Sequence, residues 1–357
     1  MVDSPFSKLS EKEWNTLFQL SSQQGIKAIV LNAISQSALS VQIPKVIKMK
    51  WLASVVRVED GYHKRLEKAT EFAEIMAEKG LNTLTLKGAA ISTYYPDPSH
   101  REFGDLDAYL FEGIPTNVKW GSGYEKGNLL AEEIGAEVKR GHYKHSHVHF
   151  KGLMIENHQY FLPIRGNQST KELEKHLRTI AFHMDEVKYV DNTKLLIPSA
   201  DFNALFLTAH AMNHFLYESI KLRHVLDWAL FIKAEYKHVD WKMFWKWCDK
   251  MHYSRLVECI HWICEQKLGM DKEVMQIVKA GHVSNFDVEK WGQRVLDDIF
   301  VGDSVYNKGN TALIVRLNLA KNFLQSAWKY QYIAQKNFIF DLARQASAMI
   351  WDKNPKL

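Results

Sequence analysis

The sequence predicts an α+β protein in which a small mixed β-sheet stands between helical segments and a large helical region follows. Three observations carry this. Apolar residues recur at three- and four-residue intervals through most of the first eighty positions, and again from about Ser199 onward. Between them the pattern changes to short strand-like runs at Leu81–Leu86, Leu106–Phe111, His145–Phe150 and Leu153–Phe161. Turn and breaker residues mark the changes, at Gly80, Gly88, Pro96, Pro98 and Gly152. With 357 residues, the chain exceeds the roughly 250–300 that one core serves. The expected organisation is an N-terminal helical arm (1–80), an α/β domain (81–198) and a helical C-terminal domain (199–357).

In chain order, Ser10-Glu11-Lys12-Glu13 is a capping-box start ahead of Trp14, Leu17 and Phe18 at helical spacing. Val46 to Lys79 is a long amphipathic helix that stops at Gly80. Leu81–Leu86 reads as a strand, Ala89–Tyr95 as a short helix ended by Pro96-Asp97-Pro98, and Leu106–Phe111 as a second strand. Residues 126–140 read as helix through Leu129, Leu130, Ile134 and Val138. His145–Phe150 and Leu153–Phe161 then meet at Lys151-Gly152, a hairpin signal. The remainder is helical at Asp201–Tyr217, Lys221–Tyr236, Trp241–His252, Ser254–Leu268 and Thr311–Trp351, with breaks at Gly269, Gly281 and Gly302.

Composition narrows the class. Hydrophobic residues make up 46% and charged residues 24% of the chain, ordinary for a globular protein. A net charge of +5 suits an anionic small substrate and is too mild to indicate nucleic acid. Cys248, Cys259 and Cys264 form neither an even set nor a C-x-x-C pair, which argues against a disulfide framework and for a reducing compartment. Met1-Val2-Asp3-Ser4-Pro5 carries no charged-then-apolar leader pattern, and no apolar run approaches the ~20 residues of a membrane span. The expectation is a soluble, cytoplasmic protein.

The chemistry concentrates in Lys87-Gly88 and Asp105-Leu106-Asp107. On a strand, positions two apart project from the same face, so Asp105 and Asp107 point together. Their repulsion is relieved by a divalent cation between them. Lys87-Gly88 closes a strand and opens a helix, an arrangement that offers backbone N–H groups and one positive charge to a phosphate. Glu156, within apolar Leu153-Met154-Ile155, supplies a third carboxylate of the kind that two-metal phosphoryl chemistry uses. A solvent-facing Glu156 on an edge strand is the alternative.

His145, His147 and His149 share one strand face, a spacing that suits a transition metal or simply a polar exposed strand. His149 and His158 fall on the two arms of the hairpin and are expected on the acceptor side. Farther on, His210 and His214 lie one helical turn apart, as do Arg223 and Asp227. They read either as groove residues, with Asp227 orienting Arg223 toward a phosphate or acceptor anion, or as core histidines and a surface ion pair.

The ordered set L-K-G-A-A, Tyr95-Pro96-Asp97-Pro98, R-x-x-G-D-x-D from Arg101, and Ile155-Glu156-x-His158 resembles the bacterial uncharacterised nucleotidyltransferase family of the DNA polymerase beta-like superfamily, over about residues 20–300. The resemblance implies a polymerase beta-like α+β domain in which Asp105 and Asp107 bind magnesium ions and Glu156 completes the catalytic triad. Lys87, Gly88 and Arg101 are expected to meet the nucleotide, Arg223 a phosphate or an acceptor anion, and the stretch that holds His210, His214 and Asp227 resembles the family's helical motif facing that site. Two departures stand out: Lys87-Gly88 replaces the Gly-Ser or Gly-Gly pair of the wider superfamily, and Gln159-Tyr160 replaces the family's aromatic after the Glu-His pair. The activity expected is transfer of a nucleoside monophosphate from a nucleoside triphosphate to a hydroxyl acceptor, with Mg2+ as cofactor and pyrophosphate released. The acceptor is not specified, since one fold serves many substrates. The alternatives are a nucleotide-binding regulatory protein with little turnover and an interaction module in which the acids are incidental.

Overall fold

The computed structural model describes residues 9–37, 42–165, 168–183, 187–217, 219–301 and 326–335. They fall into two compact units, one within residues 1–206 and 222–239, the other within 207–221 and 240–357.

The first unit opens with helix α1 (Glu11–Gln23), set by the expected capping box: the Ser10 hydroxyl accepts from the Glu13 N–H (3.4 Å), and Glu13 accepts from the Ser10 N–H (2.8 Å). Helix α2 (Lys27–Ser35) and helix α3 (Lys45–Glu78) follow. At 34 residues α3 is roughly 50 Å long, long enough to serve two cores. Its first half buries Ile47, Trp51 and Val55 against Trp14, Phe18, Leu31 and Ile34 of α1 and α2. Trp51 also donates to the Lys27 carbonyl (2.9 Å). Its second half lays Tyr62, Ala69, Phe72 and Met76 beneath the sheet.

The sheet comprises β1 (Asn82–Thr85), β2 (Asp105–Ile114), β3 (Asn117–Lys119), β4 (Glu137–Lys139), β5 (His145–Phe150), β6 (Leu153–His158), β7 (Lys188–Tyr189) and β8 (Leu195–Ile197). Its order is β4-β5-β6-β2-β1-β8-β7, with β3 paired to β2. The pairings β2–β6 and β1–β8 are parallel and the others antiparallel, so the sheet is mixed as expected. The β5–β6 hairpin turns at Lys151-Gly152, both at positive φ (+48° and +79°), a type I′ geometry that matches strand twist.

Side-chain alternation splits this sheet into two faces. Leu106, Ala108 and Leu110, with Val148, Phe150, Leu153 and Ile155, are buried among the α3 residues. Helix α5 (Gly123–Glu133) covers the same face through Ala131. Asn128 on α5 accepts from Ser146 (2.5 Å) and from Asn157 (2.9 Å), satisfying polar groups that the core would otherwise strand. The opposite face carries Asp105, Asp107, Glu156, His158, His145 and His147.

Several elements differ from the sequence reading. The helix expected over 126–140 ends at Glu133, and Val138 instead pairs with Val148 as strand β4. Ile134 to Val138 keeps a four-residue apolar spacing, so a helical period persists where the backbone has already become extended. The short helix α4 (Ala89–Ser92) is followed by a 3₁₀ turn, Pro98–His100. Strands β3, β7 and β8, each two or three residues long, are too short to show a period.

Helix α7 (Ala200–Tyr217) begins in the first unit and ends in the second, and α6 (Gln168–Ile180) and α8 (Leu222–Glu235) belong to the first. The second unit holds α9 (Trp241–Met251), α10 (Ser254–Lys267), α11 (Lys272–Val278), α12 (Val288–Val301) and a π-helical turn at Lys329–Ile333. Asp240 caps α9 by accepting from the Met243 N–H (2.9 Å). Trp245 donates to the Val278 carbonyl (2.8 Å) and stacks on His282. The three cysteines are buried, free and without mutual bonds, and burial raises their thiols well above the usual range. The expected helix Thr311–Trp351 lies largely outside the described residues. Among them, no helix is long and apolar enough to cross a membrane.

The seam between α5 and β2 depends on Gly123, where an added Cβ would sit 2.2 Å from the Leu110 carbonyl oxygen and 2.6 Å from the Phe111 nitrogen. Because those neighbours are backbone, they cannot swing aside. Gly123→Ala is therefore expected to destabilise the protein by about 1–3 kcal/mol. Gly141→Ala, where the added atom meets open space, should stay within about 0.5 kcal/mol. Paired urea denaturation curves check both.

Candidate active site

The acidic group is assembled by strand register. β2 and β6 run parallel with Asp107 opposite Glu156 and Asp105 opposite Met154. Neighbouring strands lie roughly 4.8 Å apart, so Asp105, Asp107 and Glu156 share one patch of one face. In the antiparallel β5–β6 pair, His147 stands opposite Glu156 and His145 opposite His158. On the other flank, the Leu86 N–H donates to the Asp107 carbonyl (3.0 Å), which brings Lys87 beside the acids.

The contacts follow. Lys87 Nζ lies 3.2 Å from Asp107 Oδ2, and His158 Nε2 lies 3.1 Å from Asp107 Oδ1 and 3.3 Å from Glu156 Oε2. His145 Nδ1 approaches Glu156 Oε2 at 3.4 Å and His147 Nε2 approaches Glu156 Oε1 at 3.8 Å. His158 Nδ1 faces the Tyr160 carbonyl (3.2 Å). The carbonyl and the carboxylates only accept, so His158 donates from Nδ1 to Tyr160 and from Nε2 to Asp107.

Gly88 lets the chain turn from Lys87 into α4. Its φ of +54° with ψ of −107° lies outside the regions open to side-chain-bearing residues. A Cβ there would also come 3.3 Å from the Phe103 Cβ.

The charges perturb one another. Burial, reinforced by the Asp107 and Glu156 charges, holds the Asp105 carboxyl above the usual range, and Lys87 only partly offsets this. Burial would lower the Lys87 ammonium, but Asp107, Asp105 and Glu156 together raise it. Burial would raise Glu156, and the hydrogen bond and charge from His158, with His145, bring it down instead. Burial lowers His145 and also Lys144, the latter despite attraction from Asp107 and Glu156.

A patch with three crowded carboxylates, one of them raised by burial and by its neighbours' charges, fits a divalent cation on the chemistry of its donors. Asp107, Glu156 and His158 present ligand atoms that all lie within 4.8 Å of one another, as do His145, His147 and Glu156.

The other residues singled out from the sequence make contacts of their own. Arg101 is buried and reaches Asp227 on α8 through Nε (3.1 Å) and Nη2 (2.7 Å), a two-point ion pair. Tyr95 donates to the same carboxylate at 2.6 Å. Arg101 Nη1 and Arg223 Nη1 both reach the Glu102 carbonyl, at 3.3 and 3.4 Å. Asp227 thus orients Arg101, 126 positions away, rather than the helical neighbour Arg223 suggested by spacing. Arg223 is half-buried, and its Nε makes no hydrogen bond. His149 shares the β5 face and pairs across to Met154, outside both donor groups. His210 and His214 belong to the second unit, where their rings meet edge to face at 4.4 Å.

Lys144 escaped the sequence reading. It precedes β5, and its carbonyl accepts the Gln159 and Tyr160 N–H groups (2.7 and 3.2 Å), which sets it at the end of β6 beside the acids. Strand parity alone would send it to the face away from His145, yet its ammonium feels the Asp107 and Glu156 charges.

A family model described as uncharacterised nucleotidyltransferase matches residues 10–269, well over half the chain. The chain belongs to that family, which indicates nucleotidyl transfer in general. No curated protein matches the chain, and no solved structure does.

The buried Arg101–Asp227 pair yields a stability prediction. Burial alone would raise the Asp227 carboxyl, but the Arg101 guanidinium and the hydrogen bonds from Arg101 and Tyr95 hold it below the usual range. Its contribution is therefore fully present above the unfolded carboxylate pKa of about 3.9 and is lost as pH falls through the lower folded value. Asp227→Ala leaves Arg101 buried and unpaired, with an expected cost of about 3–5 kcal/mol. Tyr95→Phe, which removes one bond to the charged group, should cost about 1.5–3 kcal/mol. Denaturant unfolding at neutral pH measures both, and repetition below pH 3 should narrow the gap between Asp227→Ala and wild type.

Proposed function

We propose that this protein is a magnesium-dependent nucleotidyltransferase that moves a nucleoside monophosphate from a nucleoside triphosphate to a hydroxyl acceptor. The observation that carries the reading is the convergence of Asp105, Asp107 and Glu156 on one sheet face beside Lys87 and Gly88. Family membership supports it, and the mixed sheet is compatible with a polymerase beta-like fold.

In this reading the acceptor hydroxyl oxygen attacks the α-phosphorus, the bond from that phosphorus to the bridging oxygen breaks, and pyrophosphate leaves. The hydroxyl proton passes to Glu156, whose side chain is 21% exposed against 2% for Asp107. Asp107 is held from two sides by Lys87 and His158 and serves to position rather than to move protons. Lys87 and Gly88 receive the phosphates, and Lys144 adds a second positive charge near Asp107 and Glu156. Asp105, Asp107 and Glu156 would hold magnesium, which would supply neutralisation of phosphate charge. Fixed charges aimed at where charge develops supply most of the rate in such centres. Arg101 positions the segment leading into β2, Arg223 meets an anionic part of a substrate, and His149 and His158 line the acceptor side.

The test is nucleotide-induced stabilisation with Mg2+ and ATP, CTP, GTP or UTP, followed by pyrophosphate release with a panel of hydroxyl acceptors. At a nucleotide concentration 100 times Kd, wild type should gain about 2.7 kcal/mol. Asp105→Asn and Asp107→Asn should lose that gain, and turnover should fall on the order of 10²–10³-fold. Equal responses in wild type and variants defeat the proposal. Stabilisation without pyrophosphate release from any acceptor would favour a nucleotide-binding regulator instead.

A further inference from the structure

His145 and His147 of β5 remain outside the proposed transferase chemistry, and their geometry is unusual for side chains that merely face water. His145 and His147 point the same way on β5, with rings 4.9 Å apart, and stand across the ladder from His158 and Glu156. His145 Nδ1 is buried and makes no hydrogen bond, although Glu156 Oε2 lies only 3.4 Å away. His147 Nε2 sits 3.8 Å from the other oxygen of the same carboxylate, beyond hydrogen-bond range. A buried nitrogen aimed at a carboxylate without bonding to it is costly. His158 differs, because its Nε2 is hydrogen-bonded to Asp107 at 3.1 Å.

We infer that His145, His147 and Glu156 form a site for a divalent transition-metal ion, distinct in donor type from the all-oxygen magnesium site of the proposed transferase. The donor atoms of the three residues lie within 4.8 Å of one another. Two ligands each about 2.0–2.1 Å from a tetrahedral ion are separated by roughly 3.3–3.4 Å. The His145–Glu156 separation of 3.4 Å already has that value, and the 3.8 Å His147–Glu156 separation needs only a small ring movement. Two imidazoles and one carboxylate select zinc, cobalt or related ions, whereas magnesium prefers oxygen and keeps its waters. Three protein ligands leave coordination positions open. Glu156 is the one residue shared with the acidic group, so the site goes beyond the transferase reading and is testable without any nucleotide.

The experiment is titration of the full chain, stripped of metal with a chelator, with Co2+ alone, followed by visible absorption. Wild type should bind one equivalent with ligand-field bands, and Mg2+ at millimolar concentration should not remove it. His147→Ala should weaken Co2+ binding at least tenfold, while His149→Ala, two positions along the same face, leaves it within twofold. The His147 side chain is 41% exposed, so the variant should fold, and His147→Asn with a melting curve provides a second form of the test. Absence of bands, displacement by Mg2+, or equal Co2+ affinity in wild type and both His147 variants overturns the inference. Loss of Co2+ binding in Asp107→Ala but in neither His147 variant also overturns it, since the ion would then sit on the Asp107–His158 side. Triphosphate binding in Mg2+, measured on the same proteins, fails or succeeds independently and reports on the transferase reading alone.

Discussion

The parallel pairing of β2 with β6 sets Asp107 directly against Glu156, and the rest of the candidate site depends on that register. Strand side chains alternate, so a slip of one residue would set Ile155 or Asn157 opposite Asp107 and turn the buried face outward. The acids cannot hold the register themselves. Two carboxylates about 5 Å apart repel by about 3 kcal/mol at an effective dielectric of 20. The opposite face does the holding, because each fully buried aliphatic or aromatic side chain contributes about 1.5–3 kcal/mol. Leu106, Ala108, Leu110, Val148, Phe150, Leu153 and Ile155 are all at most 3% exposed. Together they outweigh the repulsion several-fold, so the apolar face fixes where the polar one stands.

Charge is then distributed over that polar face by neighbours rather than by solvent. Lys87 and His158 take the two oxygens of Asp107, which leaves Asp105 as the acid whose charge is least compensated. The segment entering β2 is tied down from outside the sheet, with Arg101 locked to Asp227 and both Arg101 and Arg223 on the Glu102 carbonyl. A carboxylate group of this kind needs such anchoring. Its members would relax apart if the backbone between Phe103 and Asp105 could yield, and Gly88 packs directly on Phe103.

What the sequence reveals here is what is local. The alternation in Asp105-x-Asp107 and in His145-x-His147 is a property of a few adjacent residues, and the strands they occupy are present. The capping box at Ser10 and the Lys151-Gly152 hairpin are likewise local and appear as read. The pairing of Asp107 with His158, 51 positions apart, or of Arg101 with Asp227 leaves no trace in spacing. For Asp227 the local signal even points elsewhere, since the i,i+4 relation to Arg223 is satisfied on paper while the carboxylate turns to a distant guanidinium. Lys144 was hidden for a related reason: it lies just outside regular strand geometry, where parity no longer says which face a side chain takes. The short strands β4, β7 and β8 are defined by partners, not by their own residues.

Glu156 is the point at which the two proposed chemistries meet on one carboxylate. On one side stand the oxygens of Asp105 and Asp107, suited to a hard cation. On the other stand imidazole nitrogens of His145 and His147, suited to a softer ion. A carboxylate has two oxygens and can face both, and the β5–β6–β2 order makes that arrangement unavoidable, because β6 is the middle strand of the three. Removing Glu156 would therefore disturb both sides at once and assign neither. The two chemistries separate only at the flanking strands, at Asp105 and Asp107 on β2 and at His147 on β5, where each side chain belongs to one donor set alone.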